Sequence, residues 1–92
     1  MKFKVVFTRT AGKDIRAVEP ETRIKILKAV KSLETAPFPG TGAVKKLKGT
    51  KIQLYRLRAG NFRIIFQIEE NAIAVLFVTD RKDLQKKLKT LL

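Results

Sequence analysis

Apolar and polar residues alternate along residues 52–68, IQLYRLRAGNFRIIFQI, on both sides of a central Gly60-Asn61 pair. This alternation is typical of two half-buried β-strands, and Gly-Asn suits a two-residue type II′ turn. A loop of that length fixes the pairing of the strands, because it makes Ala59 and Phe62 cross-strand partners. Counting outward from this pair predicts one continuous apolar face, formed by Tyr55, Leu57, Ile64 and Phe66.

The opposite face of this hairpin carries three further cross-strand pairs, which are Arg58–Arg63, Arg56–Ile65 and Leu54–Gln67. The two arginines repel each other, whereas oppositely charged partners would stabilise the pair by roughly 0.2–1 kcal/mol. One interpretation is that both guanidinium groups point separately into solvent. The interpretation that we favour is that they converge on an anion, and guanidinium binds phosphate in a bidentate manner.

The N-terminal part of the chain predicts one strand and two helices. Residues 2–7 alternate as a half-buried strand does. Thr8 or Thr10 can cap a short helix, whose apolar positions are Ala11, Ile15 and Val18. A second helix begins at Pro20 and ends before Pro37. Its apolar stripe consists of Ile26, Leu27, Val30 and Leu33.

The C-terminal part predicts a third strand of the meander and a last helix. Residues 72–78, AIAVLFV, are apolar throughout, as in a strand that is covered on both faces. A two-residue turn at Glu70-Asn71 gives the pairs Ile68–Ile73, Phe66–Val75 and Ile64–Phe77. The sheet face that carries Arg58 and Arg63, called the arginine face, then also carries Ala74, Leu76 and Val78. Asp80 can cap the last helix, whose narrow apolar stripe is Leu84, Leu88 and Leu91.

The predicted order is therefore strand, helix, helix, three antiparallel strands and a C-terminal helix, or β-α-α-β-β-β-α. This is an α+β fold in a single domain that spans residues 1–92. The first two helices pack on the apolar face of the hairpin, and the chain is long enough for one modest core.

The composition points to an anionic partner. The chain has 21 basic and 8 acidic residues, for a net charge of +13, which opposes folding by self-repulsion. RNA, DNA or a strongly acidic protein segment is the natural complement. The sequence has no cysteine and no histidine, which excludes disulfides, thiolate nucleophiles, zinc sites of those ligands and imidazole bases. We expect neither a metal nor another cofactor.

Lysines on either side of the hairpin extend its positive charge. The segment before the hairpin, with Lys45, Lys46, Lys48 and Lys51, is either a nucleic-acid-binding loop or a solubilising edge, and its closeness to the arginines favours binding. We expect RNA contacts from Arg58, Lys46, Lys48, Lys51, Lys82 and Lys86. No apolar run approaches the 18 or so residues of a membrane span, and the run from Val5 to Phe7 is too short for a signal peptide. We therefore expect a cytoplasmic protein without a membrane partner.

Three segments resemble the RelE/ParE superfamily of toxins from toxin–antitoxin pairs: KLKG, LYRLRAGNFRIIFQI and FVTDRKDL. The resemblance covers nearly the whole chain, including the order of its elements. It implies a small basic toxin that an acidic antitoxin holds inactive. RelE-like members cleave mRNA in the ribosomal A site, and ParE-like members poison DNA gyrase. A ribosome-dependent mRNA endoribonuclease is the function we expect, with gyrase inhibition or a non-toxic RNA-binding module as alternatives.

The resemblance also implies catalytic residues, which are Arg63, Arg81 and Arg56. This sequence departs from RelE at Leu54, where RelE has a lysine, and it has Gln85 or Lys87 where a C-terminal tyrosine is common. Arginine suits stabilisation of a phosphorane but is a poor base, since guanidinium does not deprotonate in proteins. A lysine crowded by arginines is a candidate base, since such crowding lowers its pKa, and the sequence does not choose among Lys46, Lys48, Lys82 and Lys86.

An antitoxin needs a surface of its own on this chain. The arginine face offers an apolar groove with a cationic rim, which matches an acidic amphipathic helix. The residues that we expect to contact the antitoxin are Ile65, Leu76, Val78, Leu84 and Leu88. Two outcomes stay open, because the antitoxin helix either displaces the C-terminal helix or leaves it docked.

Overall fold

The computed structural model of the protein describes residues 2–40 and 42–90. In these ranges the chain forms one five-stranded sheet, three α-helices and a 3-10 turn. The elements in chain order are β1 (Lys4–Phe7), α1 (Arg9–Ala17), α2 (Pro20–Ser32), β2 (Val44–Lys46), β3 (Tyr55–Ala59), β4 (Phe62–Ile68), β5 (Ala72–Asp80), the 3-10 turn (Arg81–Asp83) and α3 (Leu84–Lys89). Among the described helices, none combines the length and the apolar character needed to cross a membrane.

The strand order is β1-β5-β4-β3-β2, and β4 therefore lies at the centre of the sheet. β1 is parallel to β5, and the other neighbours are antiparallel. The predicted α+β fold and its order of elements are confirmed, with one addition. The segment Val44–Lys46, expected as a basic approach to the hairpin, forms the short edge strand β2.

The β3–β4 hairpin has the predicted register, with Ala59 opposite Phe62 and Arg58 opposite Arg63. Gly60 has a φ of +59°, and no residue other than glycine has a positive φ in the described part of the chain. A positive φ at the first turn position alone is the type II′ pattern, which a side chain at that position would strain. The first strand of the hairpin begins at Tyr55, and Ile52 lies before it in an exposed loop.

The β4–β5 pairing follows the prediction only as far as Phe66 and Val75. The next pair is Ile65 with Phe77, so Leu76 is an extra residue, or β-bulge, on β5. The predicted Ile64–Phe77 pair is therefore wrong, and Ile64 lies opposite Val78. Because one extra residue reverses the alternation, Phe77 and Val78 lie on the faces opposite to those predicted.

The sheet is covered on both faces. One face, here called the helix-covered face, packs against α1 and α2 through a core that includes Val44, Leu57, Ile64, Phe66, Val78, Ile15 and Ile26. Val30 of α2 and Leu33, the residue that follows this helix, are buried as predicted, whereas Leu27 is 44% exposed, so its predicted burial is wrong. Each of the two helices therefore buries one side against the sheet.

The other face, here called the arginine face, carries a second and smaller core. Leu84 and Leu88 of α3 pack there against Leu54, Ile65 and Phe77. The prediction that the leucine stripe of the last helix covers this face is confirmed for Leu84 and Leu88. Leu91 lies outside the described residues.

Beyond the end of β1, the backbone of β5 forms hydrogen bonds with side chains of α1 and of Thr8, the residue before α1. The Thr8 hydroxyl donates to the carbonyl of Leu76 at 2.6 Å, and it also accepts from the Ala11 amide as the N-cap of α1. Further along, the amide of Val78 donates to Asp14 Oδ2 at 3.0 Å. These contacts satisfy backbone groups that β1 is too short to reach.

Replacing Asp14 by alanine should destabilise the protein by about 1–2 kcal/mol, because the part-buried Val78 amide then loses its acceptor. Asp14→Asn retains an acceptor oxygen and should keep most of the stability. Urea unfolding at neutral pH measures both effects. The exposed neighbour Lys13 provides the control, and Lys13→Ala should change the free energy of unfolding by less than about 0.5 kcal/mol. An Asp14→Asn variant as unstable as Asp14→Ala would contradict this role for the carboxylate.

Candidate nucleic-acid interface

Arg63 projects from the central strand β4 onto the arginine face and is only 9% exposed. Its Nη1 atom donates to the carbonyl oxygens of Gly60 and Phe62, at 2.9 and 3.0 Å. Both acceptors lie at the β3–β4 turn. The turn that sets the register of the hairpin therefore also fixes the orientation of this guanidinium group.

Three other arginines surround Arg63. Burial is the largest cause that lowers the pKa of Arg63, and Arg56, Arg81 and Arg58 lower this pKa further through charge repulsion. These three neighbours are all cationic, so the structure gathers positive charge around Arg63.

Arg81 is attached to the same turn through its backbone. Its amide donates to the carbonyl of Asn61 at 2.8 Å, and the Asp80 carboxylate caps the following residue by accepting from the Lys82 amide at 3.1 Å. The prediction that Asp80 caps the last helical segment is confirmed, although the segment begins as a 3-10 turn. Arg63 and Arg81 are distant in sequence, and the Gly60-Asn61 turn holds them together.

Arg56 is half-buried on β3, opposite Ile65. Its Nη1 atom is buried, and it has no hydrogen-bond partner among the described residues. A buried donor without an acceptor is costly, more so when it carries charge. An anion on this face would supply the missing acceptor and would also relieve the repulsion among the four arginines.

The lysines expected to bind RNA lie in different places. Lys46 pairs with Tyr55 and, two residues after the buried Val44, lies on the side of the helix-covered face. Its expected closeness to the arginines is therefore wrong. Lys48 and Lys51 are exposed in the loop between β2 and β3, and Lys82 and Lys86 are exposed on the 3-10 turn and α3. Arg58 is exposed opposite Arg63, as expected.

Lys45, one of the lysines in the segment expected to form a nucleic-acid-binding loop, lies on the arginine face. It pairs with Arg56, and its neighbour Val44 points into the core of the opposite face. The alternation of Val44 and Lys45 could have revealed this, had these residues been interpreted as a strand. Leu54, which resembles a lysine position of RelE, is 1% exposed beneath α3 and contributes to packing.

The residues expected to bind an antitoxin are mostly covered. Ile65, Leu84 and Leu88 are buried against one another, and Val78 lies in the core of the helix-covered face, so its expected place is wrong. Leu76 is half-buried beside α3. It lines a groove of about 730 Å³ together with Thr8, Thr10, Phe77, Asp83, Lys86, Lys87 and Thr90. This groove is the part of the arginine face that keeps an apolar floor and a lysine rim.

Comparison with known families places the chain among toxins. Residues 5–85 match the family model described as the ParE toxin of a type II toxin–antitoxin system, parDE. A curated protein of Methanocaldococcus jannaschii that carries the name RelE1 is 32% identical over 69 residues. That match covers 74% of this chain and 76% of the relative.

Solved structures of toxin–antitoxin complexes share the fold. The archaeal RelE–RelB complex of Pyrococcus horikoshii OT3 matches with a TM-score of 0.73 and 27% identity, over 88% of this chain and 97% of that chain. The RelB–RelE complex of Methanococcus jannaschii matches with a TM-score of 0.69 and 26% identity, over 87% and 94% of the two chains. The RelBE2 complex of Mycobacterium tuberculosis, at 21% identity, matches in fold with a TM-score of 0.76, over 88% of this chain and 100% of that chain.

Inorganic sulfate should raise the melting temperature of the protein, because an anion bound at the arginines stabilises the folded state by mass action. Arg56→Ala should reduce that increase, whereas Lys28→Ala, on the exposed side of α2, should leave it unchanged. Thermal unfolding in sodium sulfate and in sodium chloride of equal ionic strength measures the difference. Sulfate also stabilises proteins in general, and that effect is the same in both variants. An equal increase in the two variants would contradict an anion site at Arg56.

Proposed function

Because this chain belongs to the RelE/ParE superfamily of type II toxins, we propose that it is a RelE-like toxin that cleaves mRNA on the ribosome. The observation that carries this proposal is the convergence of Arg56, Arg58, Arg63 and Arg81, with a buried guanidinium nitrogen of Arg56 that has no partner in the described chain. Such a site suits the phosphate backbone of RNA, where bidentate contacts from arginine are strong.

The cleavage that fits these residues uses the 2′-hydroxyl of the RNA as the nucleophile. The 2′ oxygen forms a bond to phosphorus and loses its proton to a base, while the bond from phosphorus to the 5′ oxygen breaks and that oxygen gains a proton. The arginines stabilise the charge that develops on the phosphorane. Arg63, which is held by two turn carbonyls, reorients little during this step. Holding the RNA in the reactive geometry supplies a further part of the rate enhancement.

We also propose that the protein partner of this toxin is an acidic antitoxin. The net charge of +13 and the apolar groove beside α3 favour a segment that combines acidic and apolar side chains. Within the described residues, α3 packs on Ile65 and Phe77 through Leu84 and Leu88. An antitoxin helix with a larger apolar face would compete for the same surface and displace α3.

Replacing Arg63 or Arg81 by alanine should reduce mRNA cleavage by a factor of about 100 or more, as the loss of one preorganised donor does in other enzymes. The measurement is primer extension on mRNA bound to purified ribosomes. Lys28→Ala, which removes one charge far from the proposed site, serves as the control. Circular dichroism must show that each variant is folded, and the exposed Arg81 is the safer test in this respect. Full cleavage by folded Arg81→Ala would disprove its assignment.

The same preparation distinguishes the alternative target. A toxin that poisons gyrase would stabilise double-strand breaks in a supercoiled plasmid with purified gyrase, and it would leave ribosome-bound mRNA intact. The family model that matches this chain is described by a ParE toxin, which makes gyrase the relevant comparison. Breaks without mRNA cleavage would refute the proposed activity and would keep the membership of the superfamily.

Binding of the antitoxin should remove hydrogen-exchange protection from the amides of Leu88 and Lys89, because displacement of α3 exposes its backbone. Amides at the centre of β4, such as those of Ile64 and Ile65, should keep their protection and provide the internal control. Exchange measured by mass spectrometry on the free toxin and on the complex decides the matter. Unchanged or greater protection in α3 would show that the helix stays docked while the antitoxin binds elsewhere.

A further inference from the structure

β2 contributes a side chain to the arginine face. The strand is only three residues long, and its first residue, Val44, is 3% exposed in the core of the helix-covered face. Side chains alternate along a strand, so Lys45 projects from the arginine face and Lys46 from the other. Leu47 confirms the alternation, since it packs against the small core beneath α3.

The register places Lys45 directly beside Arg56, and Arg56 lies beside Ile65 on β4. The next row of the same face contains Arg58, which lies opposite Arg63. The positive side chains therefore extend across three strands, from Arg63 through the two arginines of β3 to Lys45. Adjacent strands are about 4.8 Å apart, so the backbone of Lys45 lies roughly 10 Å from that of β4.

The positive side chains from Arg63 to Lys45 follow a line across the strands, along which an RNA backbone can lie. Arg56 and Arg58 lie between Arg63 and Lys45, so a single phosphate held by Arg63 is not the natural ligand of Lys45. We propose that Lys45 binds the phosphate next to the one held by Arg63, and that single-stranded RNA crosses β4, β3 and β2 instead of following the loop of Lys48 and Lys51. This inference rests on the proposed function, and it assigns a substrate-contacting role to Lys45.

A lysine on an edge strand has a simpler role as well, since charged side chains there prevent the pairing of sheets from different molecules. Lys45 and Lys46 serve that role equally, because both are exposed on the same short strand. They differ in the face on which they lie. Lys46 is thus a matched control, with the same charge, the same strand and the opposite side of the sheet.

The experiment measures the binding of 2′-O-methyl RNA, which lacks the nucleophile, in a dinucleotide with one phosphate and a tetranucleotide with three. Lys45→Ala should weaken tetranucleotide binding about tenfold, as loss of one charge-assisted contact does. It should change dinucleotide binding less than twofold, because the single phosphate is held by the arginines. Lys45→Arg should restore the affinity, and Lys46→Ala should change neither affinity more than twofold.

Salt dependence provides a second readout, which a purely structural effect would not change. For the tetranucleotide, the magnitude of the slope of log affinity against log salt should decrease by about 0.7 in Lys45→Ala and stay unchanged in Lys46→Ala. Equal effects of Lys45→Ala and Lys46→Ala, or an equal loss for both oligonucleotide lengths, would overturn the role of Lys45. Arg63→Ala tests the proposed function separately, and undiminished dinucleotide binding by that variant would refute the phosphate site itself. A wild-type protein that binds neither oligonucleotide would refute both.

Discussion

The burial of Arg63 among other arginines is the constraint to which the rest of the structure responds. Arg63 lies at the turn end of the central strand, where burial removes part of its hydration and three charged neighbours repel it. Hydrogen bonds to the carbonyls of Gly60 and Phe62 offset part of this cost. The stability that tolerates it comes from the opposite face of the same strand, where Ile64 and Phe66 are completely buried beneath α1 and α2. One strand thus combines a stabilising face with a destabilised one, as is common at functional sites.

The two faces of the sheet are covered to different degrees, and this difference separates stability from function. α1 and α2 pack over a wide core that reaches every strand from β2 to β5. On the arginine face, α3 supplies two buried leucines, and the 3-10 turn that precedes it bears Arg81, Lys82 and Asp83. A change in the position of α3 would therefore affect the charged site while leaving the main core intact. The small core has five buried residues among those described, against twelve in the core of the helix-covered face.

The sequence pattern predicted the register of the hairpin correctly. The prediction failed where the strands depart from regular pairing. Gly60-Asn61 permits one register, and the positions of Arg56, Arg58 and Arg63 follow from it by counting. The bulge at Leu76 has no comparable signal in an apolar run, so the faces of Phe77 and Val78 were inverted. β2 was interpreted as a loop because it is short and mostly basic, so the different faces of Lys45 and Lys46 were not predicted. The hydrogen bond between Arg81 and Asn61 is a tertiary contact, which no local pattern could have predicted.

The parallel pairing of β1 with β5 has a consequence for the order of synthesis. The pairing joins Lys4 to Ala72 and Phe7 to Val75. β1 can therefore pair with the sheet only after β5 has been synthesised. Contacts between such distant residues form late, because a long loop must first be ordered. A nascent chain that still lacks β5 also lacks Arg81 and the partner strand of Arg63. The arginines of the candidate interface therefore come together only after β5 and Arg81 have been synthesised.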